Sequence, residues 1–228
     1  MIMTPEQLTG KADNHLIEVV VGTKPFLVHF AVAKDLLQLK QAAAQAGFNL
    51  NIASGFRDFE RQKTIWNNKM SGLTPILDSE SQPLDTDTLS EADKIMAILR
   101  WSALPGGSRH HWGCEFDVFD RDRLPQDVQL QLEPWEYEQG HQAPFSQWLS
   151  HNISQFGFFF PYAQDLGGVA PEPWHISHRA IGKTCLAQFS PAILKQQLRL
   201  TPILGMEEVL NRLDRIYNQF IANICGEV

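Results

Sequence analysis

The chain has 228 residues, a length that suits one globular domain or at most two small ones. Hydrophobic residues make up 43% and charged residues 20% of it, which excludes a disordered or fibrous protein. The formal net charge is -7, which disfavours a nucleic-acid or anionic-membrane surface.

The cysteines and the amino terminus bear on the compartment. Cys114, Cys185 and Cys225 form no CxxC pair and are too few for a disulfide framework. The first residues contain no continuous apolar stretch of the secretory kind, and no stretch approaches the roughly 20 apolar residues that span a bilayer. We therefore expect a cytoplasmic location and no membrane span, with periplasmic or other export by an unrecognised route as the alternative.

The first half of the chain predicts helices and a strand in alternation. Residues 33–46 carry apolar side chains at helical spacing, and the alternation over residues 48–54 predicts a strand. Asp58 is the predicted N-cap of a helix that runs to about Met70. The segment Ser54–Arg57 therefore falls at a strand-to-helix turn, where side chains are displayed rather than packed away.

The second half predicts a loop over residues 72–87 and then further helices and strands. The predicted elements are a helix from Ser90 to about Trp101, a strand over Gly113–Phe119, a helix over Phe145–Phe156, a strand over Gly157–Tyr162 and a helix capped by Ser190. An apolar stripe predicts one last helix with its buried face at Val209, Leu213, Ile216, Phe220 and Ile224. This order indicates a single α+β domain.

Two segments combine histidines with acids. His110 precedes Asp117 by seven positions, with Gly113 between them, and Glu172 precedes His175 by three. A catalytic zinc ion typically takes three His, Asp or Glu ligands and keeps one position for water. His110, Asp117 and His175 would supply that set. Glu172 would then be free to accept a proton from the activated water.

The tripeptide Glu-Pro-Trp occurs twice. In one copy, Glu172–Trp174, the next residue is His175, whereas Glu133–Trp135 is followed by Glu136. We therefore expect the Glu133–Trp135 copy to lie on the surface.

Three blocks carry a family resemblance. They are Ser54–Arg57 (SGFR) with Gln62 beyond it, the S-x-H-x-x-G-x-x-x-D block from Ser108 to Asp117, and Glu172–His175 (EPWH). In this order they resemble the zinc D-alanyl-D-alanine carboxypeptidases of the VanY type. That family is related to VanX dipeptidases, phage L-Ala-D-Glu endolysins and the hedgehog domain.

The resemblance implies a hedgehog-like or D,D-peptidase-like fold, with a small antiparallel sheet flanked by helices. It implies a single zinc peptidase domain over residues 1–228. We expect its core over about residues 26–182 and a helical C-terminal extension over 190–225.

The resemblance also implies roles. His110, Asp117 and His175 resemble the ligands of one catalytic Zn²⁺ ion, and Glu172 resembles the general base. Arg57 resembles the cation that stabilises the developing oxyanion. The residues implied to hold substrate are Ser108, Trp174 and Gln62.

Three residues are left open. Glu115 departs from the family pattern, in which a small residue is common, and alternation along a strand places it on the same face as Asp117. It could accept a hydrogen bond behind a ligand, contact a substrate amine, or be solvated. His111 and His178 are out of register with the ligand positions, and each could be a partner of a ligand, a proton shuttle or a surface residue.

The implied function is a zinc metallopeptidase, a hydrolase that acts on peptidoglycan-type stem peptides or muropeptides of the cell wall. The favoured activity is a D,D-carboxypeptidase that releases terminal D-alanine. One alternative is an endopeptidase that cuts between L- and D-residues with the same metal site. The other is a non-catalytic binding module that contains zinc.

Overall fold

Two antiparallel sheets organise residues 2–226, the part of the chain described by a computed structural model. The main sheet has four strands in the order β3-β4-β6-β5, and a separate hairpin joins β1 to β2. The strands are Leu16–Val21 (β1), Lys24–His29 (β2), Leu50–Ser54 (β3), Glu115–Asp120 (β4), Phe158–Phe159 (β5) and His175–His178 (β6).

Helices flank the sheets along the whole described chain. They are Pro5–Leu8 (α1), Ala33–Gln45 (α2), Phe59–Met70 (α3), Glu91–Leu99 (α4), Pro134–Glu138 (α5), Ala143–Asn152 (α6), Arg179–Gln188 (α7), Pro191–Leu200 (α8), Met206–Asn211 (α9) and Leu213–Ile216 (α10). Short 3-10 turns cover Thr86–Thr88, Arg109–Trp112, Arg121–Arg123 and Ile153–Phe156. The α+β class and the small antiparallel sheet flanked by helices are confirmed.

The helix that follows the SGFR block begins as predicted. The Asp58 side chain accepts a hydrogen bond from the backbone N–H of Arg61 at 2.7 Å, so α3 starts at Phe59. Because β3 ends at Ser54, only a short turn separates the strand from the helix. The fold therefore displays Arg57 at this turn, as the sequence predicted.

The register of the main sheet decides which side chains share a face. Strands β4 and β6 pair Glu115 with Ser177 and Asp117 with His175. Since side chains alternate along a strand, these four residues lie on one face of the sheet. The intervening residues Phe116, Val118 and Ile176 are buried in the hydrophobic core. One face of the sheet is thus apolar, and the other is rich in acids and histidine.

Two predicted elements differ from the structure. The strand expected over Gly157–Tyr162 contains only Phe158 and Phe159, and Pro161 follows, which has no N–H to continue a ladder. The single last helix is wrong: the chain forms α9 and α10, with a break at Arg212, and then a π turn over Tyr217–Ile221.

The π turn explains why the predicted stripe fails at its end. A wider turn places residues four and five apart on one side, so both Phe220 and Ile221 are buried. Ile224 lies outside any helix and is half-buried. Among residues 2–226, no helix combines the length and the apolar character that a bilayer crossing requires.

Candidate active site

The three predicted metal ligands meet at the middle of the main sheet. Asp117 pairs with His175 of β6 on one side and with Ser54 of β3 on the other. His110 lies in the 3-10 turn just before β4. One donor atom from each of His110, Asp117 and His175 lies within 4.8 Å of the other two, and all three residues are buried.

A glycine makes this convergence possible. Gly113 ends the 3-10 turn at φ 68°, in the left-handed region that favours glycine. A Cβ atom at this position would lie 2.3 Å from Cδ2 of Leu16. The tight reversal brings His110 back over the strand that carries Asp117.

The donor atoms fit a zinc ion. Nε2 of His110 lies 3.4 Å from Oδ2 of Asp117, and Nδ1 of His175 lies 3.1 Å from Oδ1 of Asp117. Within the described part of the chain, Asp117 Oδ1 has no hydrogen-bond partner although it is buried. Two imidazoles and a carboxylate that face each other in this way match the ligand set of a catalytic zinc site.

Each ligand histidine is held from its far side by an oxygen. Nδ1 of His110 lies 2.9 Å from the carbonyl oxygen of Gly55, and Nε2 of His175 lies 2.8 Å from Oε2 of Glu115. A carbonyl and a carboxylate only accept hydrogen bonds, so these two nitrogens carry hydrogens. The nitrogens that face Asp117 are therefore the ones available to a metal ion, which at His175 takes the place of a proton shared with the carboxylates.

The carboxylates around the three predicted ligands favour the binding of a cation. Burial lowers the pKa of His110 to about 3. Burial raises the pKa of Asp117, but His110 and His175 outweigh it and bring that pKa down to about 2. Burial also opposes a charge on His175, yet the surrounding carboxylates raise its pKa well above the ordinary value. The site therefore holds a positive charge well, whether from a proton or a metal ion.

Glu172 lies next to the ligand set. Its Oε2 is 3.3 Å from Nδ1 of His175. Its backbone N–H donates to the carbonyl oxygen of Tyr162 at 2.9 Å, and its own carbonyl accepts from the N–H of His175 at 3.1 Å. Burial raises the pKa of Glu172. A carboxylate with a raised pKa is suited both to take up a proton and to give it back.

Arg57 supplies a fixed cation in the same cavity. Its Nη1 donates to Oε1 of Gln62 at 2.7 Å, and its Nη2 donates to Oγ of Ser54 at 2.9 Å. Burial lowers the pKa of Arg57, opposed chiefly by the nearby Asp117, but a guanidinium remains charged in proteins.

Two buried side chains hold the Arg57 turn from behind. Gln62 accepts from Arg57 and donates to the carbonyl oxygen of Ala103 at 2.7 Å. Nδ1 of His111 is hydrogen-bonded to the carbonyl oxygen of Arg57, and its Nε2 accepts from the N–H of Gly106 at 3.1 Å. The surface alternative for His111 is therefore wrong. Gln62 lies behind Arg57, outside the set of described residues that line the cavity, so its predicted contact with substrate stays a prediction.

The site opens into a cavity of about 320 Å³. The predicted site residues that line it are Arg57, Ser108, His110, Asp117, Glu172, Trp174 and His175. Ser108 and Trp174 are both buried, and the Trp174 ring packs against Tyr137 with ring centroids 5.5 Å apart. Both therefore border the cavity, and their predicted contact with substrate stays a prediction.

Several lining residues were missed by the sequence analysis. They include Trp101, Arg109, Leu132, Glu133, Tyr162, Phe220 and Ile221. The Phe220 position was interpreted as plain core, since its spacing is typical of a buried helix face. No sequence signal distinguishes a core stripe from one whose last turn borders a cavity.

The first Glu-Pro-Trp copy is only half on the surface. Trp135 is 54% exposed, as expected. Glu133, however, lines the cavity, and its Oε2 accepts a hydrogen bond from Oγ of Ser81 at 2.7 Å. The expectation is corrected for Glu133, because its position before Pro134 at the start of α5 brings it to the cavity.

The other two open residues are buried. Glu115 is 0% exposed, so the solvated alternative is wrong, and it contacts the far side of His175. Burial raises its pKa, but Arg109 and His175 outweigh this and bring the pKa to about 2. His178 caps α7, with Nδ1 accepting from the N–H of Ile181 at 3.4 Å, so the surface alternative is wrong for it too.

Comparisons with known sequences give a consistent family. A family model described as D-alanyl-D-alanine carboxypeptidase (VanY) matches residues 26–181. An uncharacterized protein of Haemophilus influenzae is 41% identical over 122 residues, which is 52% of this chain and 93% of that protein. A D-alanyl-D-alanine carboxypeptidase of Enterococcus faecalis is 27% identical over 158 residues, which is 68% of this chain and 48% of that protein.

Solved structures show the same fold. VanYB in complex with D-alanine-D-alanine aligns with a TM-score of 0.52 at 22% identity, over 86% of this chain and 87% of that chain. A vancomycin resistance D,D-pentapeptidase VanY variant in complex with Zn(II) aligns at 0.50 and 21% identity, over 86% and 89%. The LdcB LD-carboxypeptidase aligns at 0.51 and 21% identity, over 75% and 72%.

Proposed function

The chain belongs to the D-alanyl-D-alanine carboxypeptidase (VanY) family, and on that premise we propose that it is a zinc-dependent D,D-carboxypeptidase that removes terminal D-alanine from peptidoglycan-type stem peptides. The observation that carries the proposal is the convergence on one cavity of three donor atoms within 4.8 Å, the carboxylate of Glu172 and the guanidinium of Arg57. Metal-assisted hydrolysis of a peptide bond uses three functions that these groups can supply: a Lewis acid, a base and an anion-stabilising cation.

The zinc ion would be held by Nε2 of His110, a carboxylate oxygen of Asp117 and Nδ1 of His175. When bound, zinc supplies Lewis-acid polarisation of the scissile carbonyl and activation of water. Glu172 takes a proton from the attacking water and delivers it to the leaving amine, a role for which its raised pKa suits it. Arg57, fixed by Gln62 and Ser54, faces the negative charge that develops on the carbonyl oxygen.

The walls of the cavity support exopeptidase action. Leu132 and Glu133 come from the segment before α5, and Phe220 and Ile221 come from the C-terminal segment. A hydrogen bond holds the C-terminal segment in place: Nε2 of Gln219 donates to the carbonyl oxygen of Gly167 at 2.6 Å. A pocket closed on several sides accommodates the end of a substrate peptide better than the middle of a longer peptide.

Three alternatives remain: two other peptidase activities and one function without catalysis. An endopeptidase that cuts between L- and D-residues, or an L,D-carboxypeptidase, would use the same metal site on the same class of substrate. A non-catalytic zinc-containing module would have no use for a base and an oxyanion cation at the cavity. The placement of Glu172 and Arg57 therefore disfavours the non-catalytic alternative.

Digestion of defined stem peptides tests the proposal. The zinc-loaded protein is incubated with a pentapeptide that ends in D-alanyl-D-alanine and with the corresponding tetrapeptide, and the products are identified by mass spectrometry. We expect release of one alanine from the pentapeptide, none from the tetrapeptide, and none with the Glu172→Gln variant. Larger fragments would indicate an endopeptidase, cleavage of the tetrapeptide an L,D-specificity, and no product at all the non-catalytic module.

A further inference from the structure

Against the far side of the His175 ring lies a buried ionic network centred on Glu115, whose member Arg109 also borders the cavity. Oε2 of Glu115 lies 2.8 Å from Nε2 of His175. Its Oε1 accepts from Nη2 of Arg109 at 2.9 Å and from Oγ of Ser177 at 2.6 Å. The side chains of Glu115 and Arg109 are 0% and 2% exposed. A buried carboxylate is tolerated only when it is paired and hydrogen-bonded, and here both oxygens are engaged.

The surrounding fold makes room for this network. Gly182 lies within α7, where glycine is unfavourable by about 1 kcal/mol relative to alanine. A Cβ atom at this position would lie 2.9 Å from Oγ of Ser177, 3.1 Å from Nη2 of Arg109 and 3.3 Å from Oε1 of Glu115. The absence of a side chain at Gly182 is thus what allows the three polar groups to fit beneath the helix.

The network determines which nitrogen of His175 faces the cavity. Because Glu115 accepts at Nε2, that nitrogen carries a hydrogen whether or not the ring is charged, and Nδ1, next to Asp117 and Glu172, is the nitrogen that can exchange its proton for a metal ion. Arg109 and Ser177 in turn leave the carboxylate little freedom to rotate, which keeps the imidazole plane in place.

We propose that Glu115 is a positioning residue that, together with Arg109 and Ser177, holds His175 in the tautomer and orientation required of a metal ligand and thereby sets the zinc affinity of the site. The inference rests on the proposed function in one respect, the identity of the metal. The S-x-H-x-x-G-x-x-x-D block that carries the family resemblance does not specify the residue at position 115. Removal of a hydrogen-bond partner of this kind typically weakens metal binding by about 10–100-fold.

The test measures zinc affinity rather than turnover. Two variants remove the acceptor: Glu115→Ala, and Glu115→Ala combined with Arg109→Met, which avoids leaving an unpaired buried guanidinium. Zinc dissociation constants come from competition with a chromophoric chelator, and the ring nitrogen shifts of His175 are read by NMR in the zinc-loaded protein, where they distinguish the metal-bound nitrogen from the one that carries hydrogen. Circular dichroism establishes that each variant is folded.

We expect both variants to bind zinc about 10–100-fold more weakly than the wild type and His175 to lose its preference for hydrogen on Nε2. If the single variant does not fold, the double variant carries the test. A zinc affinity within about twofold of the wild type, well below the effect such partners normally have, would overturn the proposal, as would an unchanged tautomer.

A matched control is available in a second buried glutamate. Glu136 is also 0% exposed and lies 3.3 Å from Nε2 of His141, away from the ligand set. Glu136→Gln should lower thermal stability without changing zinc affinity. An equal loss of affinity in this variant would show that general destabilisation explains the effect and would also contradict the proposal. Because none of these readouts requires hydrolysis, failure of the proposed peptidase activity is distinguishable from failure of this inference.

Discussion

Two pairs of buried histidines lie in different regions of the molecule with similar ring geometry. The rings of His110 and His175 are 4.8 Å apart at an interplanar angle of 74°. Those of His15 and His29 are 5.7 Å apart at 61°. All four side chains are at least nine-tenths buried. Burial and an edge-to-face contact therefore do not distinguish a candidate metal site from ordinary packing.

The difference lies in the carboxylates. His110 and His175 both face Asp117, and His175 also contacts Glu172 and Glu115. Within residues 2–226, neither His15 nor His29 forms an ion pair with an acid. Burial, reinforced by the imidazoles of His15 and His178, lowers the pKa of His29 to about 4. An acid-rich environment and oriented rings, rather than histidines as such, make one pair chemically useful.

The strongest contrast between the two pairs should be in zinc binding. His110→Ala or Asp117→Ala removes a ligand and should reduce the zinc content from about one ion per chain to near zero, with loss of all turnover. His15→Gln, at the other pair, should leave the zinc content unchanged. Elemental analysis after dialysis against metal-free buffer checks both. Full zinc content in the His110 variant would remove that residue from the ligand set.

A variant of Glu172 should separate metal binding from catalysis at the site of His110 and His175. Glu172→Gln keeps the shape of the side chain but cannot accept the proton, so kcat should fall by about 10²–10⁴-fold while zinc stays bound. The matched control is Glu133→Gln, which alters a carboxylate on the same cavity without a contact to His175. Steady-state kinetics on a stem peptide measures both, and equal losses would refute the assignment of Glu172 as the base.

Arg57 should have a somewhat smaller effect. Arg57→Ala removes the cation from the cavity and should lower kcat by about 10²–10³-fold, the usual cost of losing one oxyanion donor. Zinc content should not change, and Arg57→Lys should restore part of the rate. A change confined to KM would instead mean that Arg57 binds the substrate carboxylate.

The smallest effect belongs to the second histidine pair and concerns stability only. The pKa of His29 is lowered from 6.5 to about 4 by burial, so the folded state disfavours its protonated form. The unfolded chain takes up this proton first as the pH falls below about 6.5. Stability is therefore fully present above that pH and is lost towards pH 4, by up to about 1.4 kcal/mol per pH unit.

Urea denaturation over this pH range checks the effect. His29→Gln should flatten the decline and leave the zinc content unchanged. An identical pH dependence in the variant would mean that His29 is accessible to protons in the folded state.

Much of the local structure follows from the sequence. The caps at Asp58, Ser90 and Ser190 and the apolar spacing of α2 act within one or two helical turns, so the element that they predict does not depend on the rest of the chain. The last helix could not be predicted in the same way. Its stripe is compatible with a continuous helix and gives no signal for the break at Arg212 or for the π turn, in which Gln219 bonds to the carbonyl oxygen of Gly167, 52 positions away.

The residue types of the candidate site and their order along the chain were determined by the sequence alone, because the motif blocks already contain the proposed ligands, base and cation. Tertiary structure decided what stands behind and around them. Glu115 and His175 are 60 positions apart, and only the antiparallel pairing of β4 with β6 brings the carboxylate to the far nitrogen of the ring. The same holds for Ile221, which reaches the cavity from beyond the family domain. Side-chain contacts of this range depend on strand register and packing, which no local pattern encodes.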